Sequence, residues 1–227
     1  MKNEFNDGFI ANIPIALSVF VYGSVLGILC IQKDISLYEL VLMNVFIFAG
    51  SAQFVMVDMW SSSLDIIGII LAALMINLRY FLIGASLNPL FVNSTKKEKF
   101  KIMHFVTDEC WAITMNRLKS QKIGSTFLFG GGVCIFAFWF SGTILGYIFG
   151  DFISDPSKYG LDFAFISIFT ALIVGMYKSK KDIFPWIITA LIAVVCEHYM
   201  GGKAYIVIAA IVGSLCAVFF YDKDKNV

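Results

Sequence analysis

The 227 residues are 59% hydrophobic and 15% charged, against roughly 25% charged in a soluble domain, with a formal net charge of +1. That balance excludes an ordinary soluble domain and gives no basic excess for a nucleic-acid partner. Uncharged runs longer than the roughly 18 residues that mark a spanning helix predict an all-α, polytopic protein in the lipid bilayer, a single transmembrane domain over 1–227.

The N-terminal residues set Lys2 against Glu4 and Asp7. They lack the basic start and small-residue cleavage site of a signal peptide, so the first helix is expected to be retained. The first span is predicted over 9–31, with Pro14 early and Gly23 and Gly27 spaced as GxxxG. A polar loop, 32–39, precedes a second span over 40–57, and a loop without Lys or Arg, 58–65, precedes a third over 66–92. Arg79 lies almost at the centre of that third span.

Segment 93–122 is basic, with Lys96, Lys97, Lys99, Lys101, Arg117, Lys119 and Lys122, and is read as a cytoplasmic linker or a re-entrant segment. Within it the apolar patch 102–116 carries His104, Asp108 and Glu109. The uncharged run 123–150 is long enough to span with tilt or with a break at Gly130-Gly131-Gly132, and it ends in Gly142, Gly146 and Gly150. Further spans are predicted over 161–177, 183–196 and 204–221.

Counting Lys and Arg by side favours seven spans, with the N-terminus outside and the C-terminus cytoplasmic. On that assignment 13 of the 17 basic residues face the cytoplasm. Tyr22-Gly23-Ser24-Val25-Leu26-Gly27 also resembles Ser141-Gly142-Thr143-Ile144-Leu145-Gly146, and 39–46 can be laid on 162–169. Two three-helix units of opposite orientation, within 9–92 and 123–199, are therefore expected, the trace of an inverted-repeat transporter.

Phe48-Ala49-Gly50-Ser51-Ala52-Gln53-Phe54 interrupts the greasy run 40–57 with small and polar residues. It reads either as a close helix contact with cross-helix hydrogen bonds or as a helix broken at 50–52, whose freed backbone groups bind a solute. In the second case Gly50, Ser51, Ala52 and Gln53 form one wall of a site, with Phe48, Phe54 and Met56 lining an aliphatic pocket. Asn77 and Arg79 would stand nearby, although they lie about 200° apart on a straight helix. A cation at mid-membrane needs an anionic partner. The apolar setting of Thr107-Asp108-Glu109 makes Asp108 or Glu109 the candidate for that role or for proton coupling.

Five scattered cysteines without a CxxC pair, and only His104 and His198, predict no disulfide frame and no metal site. No nucleophile, phosphate loop or cofactor motif appears, which counts against an enzyme.

The ordered series Pro14, Gly23 and Gly27, Phe48–Phe54, Asn77-Leu78-Arg79 and Thr107-Asp108-Glu109 resembles the AzlC-type large subunit of branched-chain amino-acid exporters (AzlC/AzlD type, the LIV-E family). The resemblance is strongest over the first half; beyond Gly150, Asp162-Phe163-Ala164 is the main landmark. It implies export of leucine, isoleucine, valine or analogues across the plasma membrane, with a small AzlD-type membrane subunit as partner. Asn44 stands where relatives commonly carry Ser, and Tyr80 where they commonly carry His; if that His moves protons in relatives, coupling here is in doubt. The rival reading is a non-transporting scaffold subunit whose polar residues only bind partner helices.

Overall fold

The computed structural model describes residues 2–61, 64–92, 94–150, 183–199 and 204–222, with single positions 152, 170, 174, 177, 179 and 180. Every described element is helical. In order they are α1 (Lys2–Gln32), α2 (Leu37–Phe46), α3 (Gly50–Asp58), α4 (Ile66–Asn77) and α5 (Arg79–Leu87), which runs into a 3-10 turn (Asn88–Phe91). Then come α6 (Lys96–His104), α7 (Asp108–Leu118), α8 (Ser125–Gly150), α9 (Ile183–Tyr199) and α10 (Ala204–Asp222).

The centre is a contact between α1 and α8 with almost no side chain between the two backbones. A Cβ at Gly27 would strike the Thr143 carbonyl oxygen and lie 2.6 Å from the Tyr147 nitrogen. One at Gly142 or Gly146 would strike the carbonyl of Phe20 or Ser24. Only glycine admits this approach, which van der Waals contact then holds along the full length of the pair. Near the other end Gly130 meets Phe5 and Gly8 meets Phe127. Numbers rise together on both helices, so α1 and α8 run parallel.

That direction corrects two expectations. The two glycine blocks are halves of one interface pointing the same way; counterparts of an inverted repeat would point oppositely. Glu4 lies 3.1 Å from where a Cβ on Gly124 would be, so the N-terminus and the basic segment before α8 share one side instead of facing each other across the bilayer. The predicted span 161–177 lies outside the described residues apart from positions 170, 174 and 177.

The expected second span is also replaced. α2 and α3 have 10 and 9 residues, about 15 Å each, half of the roughly 30 Å hydrocarbon core. The chain turns back between them: Lys33 Nζ donates to the Asp58 carbonyl at 3.2 Å, so both ends of 37–58 lie beside the C-terminal end of α1. Residues 37–58 form a helical hairpin and do not cross. The turn is at 47–49, where Phe48 has φ +28°, three residues before the break expected at 50–52.

Helices α6 and α7 make a second hairpin from the other end. Lys101 stacks 5.0 Å above the Phe129 ring and Arg117 5.9 Å from Phe127, both near the start of α8, while Phe105 at the turn packs on Phe136 at 5.3 Å. Three helices remain that are long and apolar enough to cross a membrane among the described residues: Glu4–Gln32, Ile66–Phe91 and Ser125–Gly150. Shorter apolar helices include Leu37–Phe46 and Ile183–Tyr199. The pair α9–α10 packs through Gly213 against Thr189.

Each hairpin begins with the same local signal. Ser36 and Glu39, and likewise Thr95 and Glu98, exchange side-chain and backbone bonds in a capping box. The Ser36 hydroxyl, then the Ser36 amide, hold the Glu39 carboxyl below its ordinary value. This contribution is present above the ordinary glutamate range and fades as pH falls through the lowered one.

The hairpin geometry makes a simple labelling prediction. Cysteines introduced as Lys33→Cys and Asp58→Cys will react with an impermeant maleimide from the same side of the membrane, and Lys119→Cys from the opposite side. Labelling of positions 33 and 58 from opposite sides would restore a crossing at 40–57.

Candidate functional site

The tips of the two hairpins meet beside the middle of α8. The Phe48 and Phe105 rings lie 6.4 Å apart, and Phe48 packs edge-on against Phe136 at 5.0 Å. Beside this contact is a cavity of about 60 Å³, lined by Val19, Tyr22, Phe48, Gly50, Ser51, Arg79, Tyr80, Thr107, Asp108, Glu109, Ile135 and Trp139. At this size it has room for a few waters.

Arg79 is the residue that ties the site together. It starts α5, after the helix is interrupted at Leu78. One terminal nitrogen is 2.8 Å from Asp108 Oδ2; the other donates to Ser51 Oγ at 2.7 Å. One guanidinium thus holds the tips of both hairpins. Asp108 and Glu109 open α7, and Thr107 caps it by accepting from the Cys110 amide. Gly50 and Ser51 open α3, so two helix N-termini, each with amides lacking intrahelical acceptors, face the same cavity. Val19, Ile135, Phe48 and Trp139 supply an apolar wall.

Of the residues singled out in the sequence, Gly50, Ser51, Arg79, Asp108 and Glu109 converge here. Ala52 and Gln53 point elsewhere and are fully buried. The Gln53 amide donates to Asn44 Oδ1 at 2.9 Å, as does Trp139 Nε1 at 3.0 Å, while Asn44 Nδ2 donates to Thr143 Oγ1 at 2.8 Å. Gln53 therefore ties the two arms of the first hairpin together, and Asn44 fastens that hairpin to α8. Asn77 does not line the cavity, and its Oδ1 is buried without a partner among the described residues. Phe48 lines the cavity; Phe54 packs on Tyr22 at 4.7 Å, and Met56 lines an apolar groove on the flank of the first hairpin. Tyr80, singled out only as a departure from the family's His, lines the cavity, and so do Tyr22 and Trp139, which were not anticipated there. Aromatic residues are common in membrane helices, and no spacing in the chain singles out these three.

This geometry falls inside the region that matches a known family model, described as AzlC protein, over residues 14–153. The chain belongs to the AzlC family. Among its relatives is an uncharacterized membrane protein of Helicobacter pylori (strain 26695), 27% identical over 95% of this chain and 94% of the relative. The branched-chain amino acid transport protein AzlC of Bacillus subtilis is 24% identical over 93% of this chain and 84% of its own. The inner membrane protein YgaZ of Escherichia coli is 22% identical over 79% and 76%. No solved structure matches. Hairpins, central ion pair and cavity all lie within the AzlC match, as does the α1–α8 contact except for the N-terminal part of α1, residues 2–13. This AzlC-family chain is a helical membrane protein with a role in transport.

Proposed function

We infer that this protein is the large subunit of a secondary transporter that moves branched-chain amino acids outward across the plasma membrane, together with a small AzlD-type subunit. The observation that carries the reading is Arg79 held between two opposed hairpin tips, beside an apolar wall. A free amino acid needs a cation for its carboxylate, anions for its ammonium group and an apolar surface for its side chain. Arg79 with the amides at Gly50 and Ser51 supplies the first, Asp108 and Glu109 the second, and Val19, Ile135, Phe48 and Trp139 the third.

Leucine is larger than the cavity of about 60 Å³, so admission requires the tips to part, the first hairpin opening the site to one side and the second to the other. Export against a gradient needs a driving force, and a proton carried by Asp108 or Glu109 supplies one. The side shared by the N-terminus and the basic segment 93–122 is read as the cytoplasm, because Lys and Arg accumulate there.

The test is leucine flux in proteoliposomes, with and without the small subunit. Flux that is absent from the pair, or unchanged when Asp108 and Glu109 are both replaced by amides in folded protein, would overturn the reading.

A further inference from the structure

Arg79 is engaged at both terminal nitrogens, yet its Nε is buried without a partner among the described residues, and so is the Tyr22 hydroxyl. Both residues line the cavity. These are two hydrogen-bond donors with nothing to donate to, beside a cation whose present anion comes from the protein. The Asp108 side chain is 40% exposed, and capping of α7 falls to Thr107, so Asp108 can turn away without uncapping its helix. The groups facing it are Arg79 and Tyr80 from α5 and Glu109 on its own helix, with Tyr22 from α1 lining the same cavity.

The geometry points to an exchange of partners: Asp108 occupies on Arg79 the place of the substrate's carboxylate, and substrate binding swaps this internal ion pair for an external one, with Tyr22 and Arg79 Nε completing the carboxylate site. The swap keeps a carboxylate on the guanidinium throughout, which avoids the large cost of an unpaired charge out of water. The displaced Asp108, together with Glu109, then faces the incoming ammonium group. It also releases the tip of the second hairpin from α5, so occupancy of the site and freedom of that hairpin become one event. The exchange rests on reading the cavity as an amino-acid site, and it adds a rule of selectivity. With Asp108 in competition, an acid lacking the amine sets three carboxylates against one guanidinium and is rejected, whereas the zwitterion is accepted.

Two probes separate the possibilities: leucine and 4-methylpentanoate, which has the same side chain and carboxylate but no amine. Binding to the purified full chain is measured by thermal shift and calorimetry. The wild type is expected to bind leucine and to bind 4-methylpentanoate weakly. In Asp108→Asn, 4-methylpentanoate should bind at least about tenfold more tightly, while leucine tightens less or weakens. Asp108→Glu keeps the competing charge and should leave 4-methylpentanoate weak. Tyr22→Phe should weaken both probes in either background. If Asp108→Asn does not fold, Asp108→Ser takes its place; if that also fails, the wild-type ratio of the two probes decides, and equal affinities overturn the exchange.

A purely structural Asp108 predicts that both probes weaken together in the variant, which would also overturn it. Leucine flux with 4-methylpentanoate binding unaffected by Asp108→Asn would reject the exchange and leave the transport reading standing. Tighter 4-methylpentanoate binding in the variant without any leucine flux would do the reverse.

Discussion

Arg79→Gln is expected to abolish leucine flux, with a loss of at least about 100-fold, corresponding to about 2.7 kcal/mol. The guanidinium is bound at once to Ser51 on the first hairpin and Asp108 on the second, and Gln is too short and uncharged to replace either bond. The variant leaves Asp108 and Glu109 facing each other with no cation in the cavity. Breaking a buried pair from one side costs roughly 3–5 kcal/mol; here the partners are 30% and 40% exposed, so a smaller loss, on the order of 2 kcal/mol, is expected in thermal unfolding. Arg79→Gln with Asp108→Asn removes the orphaned charge and should recover most of that stability without recovering flux. A scaffold would behave differently, because complex assembly and flux would then follow stability in both variants.

The second large effect is structural. Gly146→Leu should prevent α1 and α8 from meeting, because even the Cβ falls on the Ser24 carbonyl and a backbone atom cannot rotate aside. Overpacking a core costs typically 1–3 kcal/mol when side chains can shift; a clash with backbone should exceed about 3 kcal/mol and appear as loss of monodisperse protein in detergent. Gly84→Ala is the control. Its Cβ would meet only Met103 Cε, at 3.7 Å, and Ala favours a helix over Gly by roughly 0.5–1 kcal/mol. A melting temperature unchanged or raised at position 84 and lost at position 146 separates the crossing from a general intolerance of larger residues.

What the sequence made legible follows from charge and size. A lone Arg79 in a greasy run demands an anion, and few acids lie in apolar surroundings, so the choice narrows to Asp108 or Glu109, though not between them. Gly23, Gly27, Gly142 and Gly146 mark close approach wherever they occur in membrane helices. Direction was harder. The two glycine blocks look alike because they are two sides of one contact, and likeness of residue type carries no direction. Hydropathy likewise reports that 40–57 lies among apolar groups, not that it crosses. The reversal depends on the backbone of Phe48, a residue with no turn signature. Gln53 was legible as a buried amide in need of partners, but its partner Asn44 lies on the other arm of the hairpin and is itself held by Trp139 and Thr143 of α8, groups brought together only by folding.

The glycine contact between α1 and α8 also has a mechanical meaning. Helices slide or roll past one another by letting side chains hop between rotamers, as in shear motions; where carbonyls touch glycine Cα atoms there is nothing to hop. The pair is therefore a stator. Motion in the proposed transport cycle would then be left to the parts that rest on it through side chains: the two short hairpins, and the α4–α5 helix interrupted at Leu78. On the proposed cycle the protein would work like a fixed post with two hinged flaps, the energy of each stroke being spent at the flap tips and not in the frame.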